Sequence, residues 1–216
     1  MLLNITNGDY LNAKLSKENE GEFFPFREAT IQGNLTQAIL SEDFIKARAE
    51  SLSVTVDYYK KNAQNVLDFI QNHARYSKLK LWFGDDTFCQ LNLLTLLALL
   101  EQINYSGEIE IVIVDDETGS VVASTHGVKL GQYYNLYKKI LLNGQMPDET
   151  GAISKRAIEL YFDYLSPNGH LANLARQNAD LEQSELVVLL LKNSKEYGLS
   201  DLNVKELLKR EKIVKI

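Results

Sequence analysis

The stretch LKLWFGDDTFCQLNLLTLLALLEQINYSGEIEIVIV, residues 79–114, decides the fold of this chain. Leu79 to Phe83 alternates with lysine and stops at Gly84-Asp85-Asp86, which is typical of a strand that ends in a turn. Thr87 to Ile103 is apolar on nearly every side and predicts a buried helix. Ile109 to Val114 is rich in β-branched residues and predicts a second strand. This spacing forms a βαβ unit, which requires parallel strands and a right-handed crossover.

The residues before this unit continue the α/β pattern. Leu2 to Thr6 predicts a short strand that ends at the turn-forming trio Asn7-Gly8-Asp9. Glu22 to Phe26 predicts an extended segment at a sheet edge, because Pro25 has no N–H to donate. The apolar periodicity within residues 41–70 predicts two helices.

After about Gly127 the pattern becomes helical, and no further strand is predicted. Glycines and prolines separate five predicted helices, at residues 130–142, 154–165, 171–177, 181–197 and 203–212. We therefore predict an α/β fold in two domains. Residues 1–127 would form a Rossmann-like domain with a mostly parallel sheet, and residues 128–216 would form a helical domain.

Composition narrows the classes of function. The 216 residues carry a net charge of −6, which argues against broad binding to nucleic acid or to a membrane surface. The most apolar window, Leu91 to Leu100, is about half as long as a membrane span. Cys89 is the single cysteine, and Met1 to Asp9 contains no basic leader. We expect a cytoplasmic protein without a membrane partner.

Polar residues follow each of the predicted strands. Asp9 follows the first strand, and Arg27 and Glu28 follow the second. Asp85 follows the third strand, and Asp115 follows the fourth. Because ligands of open parallel sheets bind outside the carboxyl ends of the strands, we predict a site for a small polar ligand at this edge. Its residues would be Asn7, Gly8, Asp9, Arg27, Glu28, Gly84 and Asp85. Each also has a local explanation in turns and helix caps.

The start of the buried helix allows a structural and a functional interpretation. Thr87 and Gln90 predict a capping box, in which both side chains satisfy free backbone N–H groups. Cys89 would lie in the first helical turn, where the helix dipole lowers the pKa of a thiol. We favour a buried structural cysteine, since free cysteine is commonly a small core residue. Asn92 is polar within an apolar helix, and we expect it to bind a neighbouring loop or to reach the ligand edge.

Three classes of function stay open. The first is a binding or regulatory module for a small polar ligand, with a nucleotide among the candidates. The second is a metal-assisted hydrolase or phosphoryl-transfer enzyme with Asp9, Asp85 and Asp115 as ligands. Glu28 or His126 would then be the base. The histidines and the cysteine show no metal-ligand spacing, so the sequence assigns no metal, no cofactor and no complete catalytic set.

The third class is a nucleic-acid-associated regulator that acts through the C-terminal helices. Residues 192–216 contain seven Lys or Arg and four Asp or Glu, a charge of +3. Basic charge on a terminal helical hairpin can contact phosphates. The same charges are typical of a solvated helix face, which is the interpretation we favour.

The order of these segments resembles an uncharacterised bacterial family known as a domain of unknown function (number 1835). The residues that carry the resemblance follow the first three strands and are Asn7-Gly8-Asp9, Arg27-Glu28 with Gly33, and Trp82-Phe83-Gly84-Asp85. The resemblance covers about residues 2–125 and implies a Rossmann-like N-terminal domain with a helical partner. It implies no reaction. Family members often have a small residue after the Gly-Asp pair, where this chain has Tyr10.

Overall fold

The computed structural model describes residues 1–115 and 117–213, and it contains a five-stranded sheet. The strands are β1 (Leu2–Asn7), β2 (Glu22–Phe26), β3 (Lys78–Phe83), β4 (Glu108–Val114) and β5 (Val121–Thr125). They lie in the order β2-β1-β3-β4-β5, with β1 to β4 parallel and β5 antiparallel to β4. The predicted α/β fold with a mostly parallel sheet is confirmed. The strands predicted at residues 2–6, 79–83 and 109–114 correspond to β1, β3 and β4, which are parallel neighbours.

The described residues also form helices before and after the last strand. They are α1 (Gly8–Leu15), α2 (Glu42–Ser51), α3 (Val56–Asn72), α4 (Thr87–Gln102), α5 (Tyr133–Tyr137), α6 (Lys155–Leu165), α7 (His170–Gln177), α8 (Gln183–Lys192) and α9 (Asp201–Arg210). Short 3₁₀ turns cover His73–Arg75 and Lys195–Tyr197. No helix in this part of the chain is both long enough and apolar enough to cross a membrane.

Two helices differ from their predicted extent. The helix predicted at residues 130–142 begins at Tyr133, and its second half is a π-helical turn. The helix predicted at residues 181–197 is interrupted after Lys192. There the Ser194 hydroxyl donates to a backbone carbonyl three residues earlier, at 3.1 Å. Such a local bond competes with the helical hydrogen bonds and favours an interruption.

Helix α4 is buried along nearly all of its length, as the sequence predicts. Thirteen of its residues are buried. One side contacts β1 and β3, while the other contacts α5 and α6. A helix enclosed in this way has no solvent-facing stripe, which explains why its sequence lacks an amphipathic period.

The two faces of the sheet are covered unequally. On one face, α1 packs over a small apolar cluster of Leu11, Leu15, Trp82, Val112 and Val114. The other face forms the main core, which extends from Leu3 in β1 to Leu208 in α9. Helices after residue 127 therefore share the main core with the sheet. The division into two domains stays a prediction.

The sequence does not predict β5. All five of its residues are exposed, so apolar and polar residues do not alternate between a core and a solvent face. The strand exists through its pairing with β4, and the register is interrupted between Ile113 and Val114. Pairing of this kind depends on a partner strand and leaves little local signal.

Glu101, near the end of α4, holds the start of α5. Its Oε1 accepts hydrogen bonds from the N–H groups of Gly131, Gln132 and Tyr133 at 2.5, 2.8 and 2.8 Å. Its Oε2 accepts from the N–H of Tyr134 at 2.8 Å. A carboxylate satisfies the N–H groups that a helix start leaves without partners, and it complements the positive end of the dipole.

We predict that Glu101→Ala lowers the free energy of unfolding by about 1–3 kcal/mol, because four N–H groups lose a charged acceptor. Urea denaturation measures the change. Glu108→Ala is the control, since Glu108 makes an exposed ion pair with Lys78 at 3.1 Å and should cost less than about 1 kcal/mol. Equal losses in the two variants would contradict the anchoring role of Glu101.

Candidate functional site

The fold favours a ligand near the carboxyl ends of β1 and β3. Helix α1 follows β1 and packs on the smaller cluster, whereas α4 follows β3 and belongs to the main core. The chain thus leaves neighbouring strands toward opposite faces of the sheet. In open α/β sheets, ligands bind in the crevice at such a switch point.

Side chains of the protein itself occupy this crevice. Asn7 Nδ2 donates to Sγ of Cys89 at 2.8 Å, and Asn7 Oδ1 accepts from Asn92 Nδ2 at 2.9 Å. Asn92 also binds the loop after β2, through the carbonyl of Glu28 at 2.6 Å and the N–H and hydroxyl of Thr30 at 3.1 and 2.9 Å. The predicted bond from Asn92 to a neighbouring loop is confirmed. Cys89 is buried as predicted, with 3% of its surface exposed.

Asp9 and Arg27 form an ion pair outside the ends of β1 and β2. Arg27 donates to the carboxylate from Nε at 2.9 Å and from Nη2 at 2.7 Å. The third nitrogen, Nη1, donates to the carbonyl of Asn62 at 3.0 Å. The hydrogen bond from Arg27 lowers the pKa of Asp9. Gly8, with φ of +83°, makes the turn that begins α1 just before this pair.

The Glu28 side chain lies inside the protein. Arg48, which is fully buried, donates to its Oε2 from Nε at 3.0 Å, and the Tyr59 hydroxyl binds Oε1. Burial raises the pKa of Glu28, and the Arg48 guanidinium opposes that shift. Glu28 was expected at the ligand edge, or as a base. The structure corrects this placement, because a partner twenty residues along the chain holds the carboxylate inside.

The start of α4 also differs from its prediction. The N-cap is Asp86, whose carboxylate accepts a hydrogen bond at 3.0 Å from a backbone N–H in the first turn. Thr87 and Gln90 therefore do not form the predicted capping box. The Thr87 hydroxyl donates to the carbonyl of Ala157 at 3.1 Å, and Gln90 Oε1 accepts from the N–H of Ser154 at 3.0 Å. Both side chains tie α4 to the start of α6.

A pocket of about 440 Å³ lies at the carboxyl ends of β3 and β4. It is bounded by the N-terminus of α4, by α6 and by the 3₁₀ turn before α9. Gly84 follows β3 beside it and is buried, with its carbonyl accepting from Gln90 Nε2 at 2.7 Å. The residues that line the pocket are Asp85, Asp86, Ile113, Val114, Asp115, Glu117, Val122, Arg156, Ala157, Leu160, Lys195, Glu196 and Gly198.

Carboxylates dominate the charge of this pocket. Five of the lining residues are acidic and two are basic. Both basic residues are already in ion pairs, Arg156 with Glu196 at 3.0 Å and Lys195 with Glu117 at 3.4 Å. The remaining carboxylates include Asp85, which has no ion pair within the described residues.

Two of the pocket carboxylates have pKa values shifted in opposite directions. Partial burial raises the pKa of Asp85, and repulsion from Asp86 and Glu196 adds to the shift. The N–H and hydroxyl of Thr118 lower the pKa of Asp115, since both donate to its Oδ1 at 2.8 Å. Asp85 is therefore the carboxylate that would gain most from a cationic neighbour.

The structure brings together only some of the residues predicted to share a site. Asp9 and Arg27 are in contact, and Asp85 lines the pocket. Asp9, Arg27 and the buried Glu28 do not line that pocket. The predicted site residues therefore do not surround a single cavity. Asp9, Arg27 and Asp85 nevertheless lie at the carboxyl edge of the sheet.

Sequence reasoning missed the pocket residues contributed by the C-terminal half. Arg156, Lys195 and Glu196 come from segments that have the charge pattern of solvated helices. They gain another role because they line the pocket together with the residues that follow β3 and with the end of β4. A local pattern cannot reveal this, because Asp85 and Glu196 are separated by more than a hundred residues of chain.

The arrangement expected for a metal-assisted enzyme is not found. Asp9 binds Arg27, whereas Asp85 and Asp115 lie at the pocket. Within residues 1–115 and 117–213, no group of three or more His, Cys, Asp or Glu side chains could hold a metal ion. His126 lies beside Glu110 at 3.7 Å, in the amino-terminal half of β4, because β5 runs antiparallel. His126 is exposed there and lies away from the carboxyl edge, where the metal-assisted alternative would need its base.

Basic residues of α9 make contacts within the protein. Lys205 forms an ion pair with Asp201 at 2.9 Å. Arg210 lies over the Tyr164 ring at 5.0 Å and donates to the carbonyl of that tyrosine. These contacts agree with a structural role for the basic residues of α9.

Comparison of the chain with protein-family models, curated proteins and solved structures gave no match. The fold and the site alone define the class: this is an α/β protein with a charged pocket at the carboxyl edge of its sheet. The resemblance to the bacterial family stays a prediction.

We predict that the two ion pairs near the edge differ strongly in their effect on stability. Arg48→Met should lower the free energy of unfolding by about 3–5 kcal/mol, because it leaves the Glu28 carboxylate buried without its partner. Arg27→Met should cost less than about 1 kcal/mol, because its pair with Asp9 is exposed. Urea denaturation tests both. Adding Glu28→Gln to Arg48→Met should recover part of the loss, and no recovery would argue against an unpaired charge as its cause.

We predict opposite effects on stability for two substitutions in the pocket. Since the folded-state pKa of Asp85 is raised above 3.8, its ionisation opposes folding at neutral pH. Asp85→Asn should therefore raise the melting temperature at neutral pH, and the gain should vanish below pH 3.8. Asp115 has a lowered pKa, so Asp115→Asn should lower the melting temperature at neutral pH. Shifts of the same sign in both variants would contradict the assigned environments.

Proposed function

We propose that this protein is a binding module that takes a small organic cation into the pocket between β3, β4 and α6. The position supports the proposal, because the carboxyl edge of an α/β sheet is the usual place for a ligand. A volume of about 440 Å³ lies within the range of about 300–1,000 Å³ found for small-molecule sites.

The walls of the pocket suit a ligand with an apolar body. Ile113, Val114 and Val122 come from the sheet side, and Ala157 and Leu160 come from α6. Apolar surface of this kind stabilises a bound hydrocarbon or ring by removing it from water. A few polar groups around such walls fix the orientation of the ligand.

The excess of carboxylates in the pocket favours a ligand with a cationic group, and this is the main observation behind the proposal. Asp85 lines the pocket beside two acidic residues, Asp86 and Glu196, and has no cationic partner in the described residues. An ammonium or guanidinium group would relieve that repulsion. A phosphate would add to it, so the geometry gives less support to a nucleotide than to an amine.

Binding has more support than catalysis. The described residues that line the pocket include no His, Cys, Ser or Thr, so they offer no hydroxyl or thiol nucleophile and no imidazole base. Lys195 is held in its ion pair with Glu117. The lining residues come from both the N-terminal and the C-terminal half of the chain. A ligand that contacts Asp85 and Leu160 together would link the sheet to the C-terminal helices, which is the basis for a regulatory role.

A thermal-shift series tests the function. The probes are phenethylamine and 1,5-diaminopentane as cations, and AMP and ATP as anions. We predict that an amine raises the melting temperature in a concentration-dependent way, because a ligand that binds only the folded state stabilises it. The nucleotides should leave the melting temperature unchanged.

Asp85→Lys is the test variant and Glu18→Lys its control. Glu18 is exposed on the polar segment after α1, away from the pocket, and its substitution changes net charge by the same amount. The amine response should be lost in the first variant and kept in the second. Stabilisation by a nucleotide, or an amine response that survives Asp85→Lys, would contradict the proposal.

A further inference from the structure

Strand β5 leaves one edge of the sheet open. All five of its residues are exposed, and Val121 and Val122 have 59% and 68% of their surface accessible. Within the described residues, its strand partner is β4 alone. The outer side of β5 therefore presents backbone N–H and C=O groups together with apolar side chains, which is a template for another strand.

The opposite edge of the same sheet is protected. Strand β2 contains Pro25, which has no N–H to donate, and its last three residues are buried. Glu22 begins the strand and pairs with Arg75 at 3.0 Å. Proline and charge are the usual devices against edge pairing. Strand β5, Val121-Val122-Ala123-Ser124-Thr125, has neither.

We propose that β5 pairs antiparallel with β5 of a second copy of this chain, so that two sheets join across a two-fold axis. An interface of this kind uses the same surface on both copies. With the axis near Ala123, that residue faces its own copy, while Val121 faces Thr125. No like charges meet along the paired strands. The register shift between Ile113 and Val114 leaves Val122 outside the regular pairing with β4, so Ala123, Ser124 and Thr125 form the regular part of the strand.

The charges on both sides of β5 select a second copy in the antiparallel direction. The turn before the strand is acidic and includes Asp115 and Glu117, both exposed. The segment after the strand contains the exposed Lys129. Antiparallel pairing brings the acidic turn of one copy toward Lys129 of the other. Parallel pairing would place acid against acid.

Sedimentation over a wide range of protein concentrations tests the pairing. The unmodified protein should form dimers. Ala123→Lys and Ala123→Asp should each raise the dimer dissociation constant by at least about tenfold, because like charges then face each other across the axis. An equal mixture of the two variants should recover dimers, since Lys then faces Asp.

Ala74→Lys is the matched control, because Ala74 is also an exposed alanine but lies in the 3₁₀ turn His73–Arg75, beside the opposite edge of the sheet. This variant should dimerise as the unmodified protein does, and circular dichroism should show that all variants are folded. A protein that stays monomeric at every concentration would overturn the proposal. So would a dimer that Ala123→Lys does not weaken.

Discussion

The burial of α4 on all sides is the constraint on which the rest of this structure depends. A helix enclosed by a sheet and two other helices cannot leave its polar side chains to water, so each must find a partner inside the protein. Asn92 binds the loop after β2, Gln90 binds the N–H of Ser154, and Thr87 binds the carbonyl of Ala157. Every one of these bonds ties α4 to another segment. These three polar residues therefore hold α4 to its neighbours.

The same constraint determines where a ligand can enter. In an open α/β sheet the crevice beside the first strand is free for a ligand. Here Asn7 and Asn92 fill it with a hydrogen-bonded pair at 2.9 Å. The available volume lies instead above β3 and β4, where α6 and the turn before α9 form the opposite wall. Gly198 is required there: its φ is +64°, and a Cβ would lie 2.0 Å from Asp86 Oδ1.

The sequence predicts the parallel sheet and α4 because both have strong local patterns, whereas the site depends on contacts between distant segments. Asp85 was correctly expected at the strand edge, since the end of β3 determines its place. Glu28 was not expected inside, because its partner Arg48 lies in α2, whereas Glu28 lies in the loop after β2. The N-cap of α4 was predicted one residue late, because Asp86 and Thr87 both have side chains that can cap. Strand β5 was missed, because five exposed residues carry no burial period.

The pocket and the open edge of the sheet meet at Val122, because this residue lines the pocket and belongs to β5. If a second copy pairs with β5, it fixes the backbone that forms one wall of the pocket. A ligand that packs against this wall would then bind the paired and the unpaired protein with different affinity. Linkage is reciprocal, so the ligand would shift the dimerisation equilibrium by the same factor. Asp115 and Glu117 reinforce this connection, since they belong both to the pocket and to the acidic turn that faces the second copy.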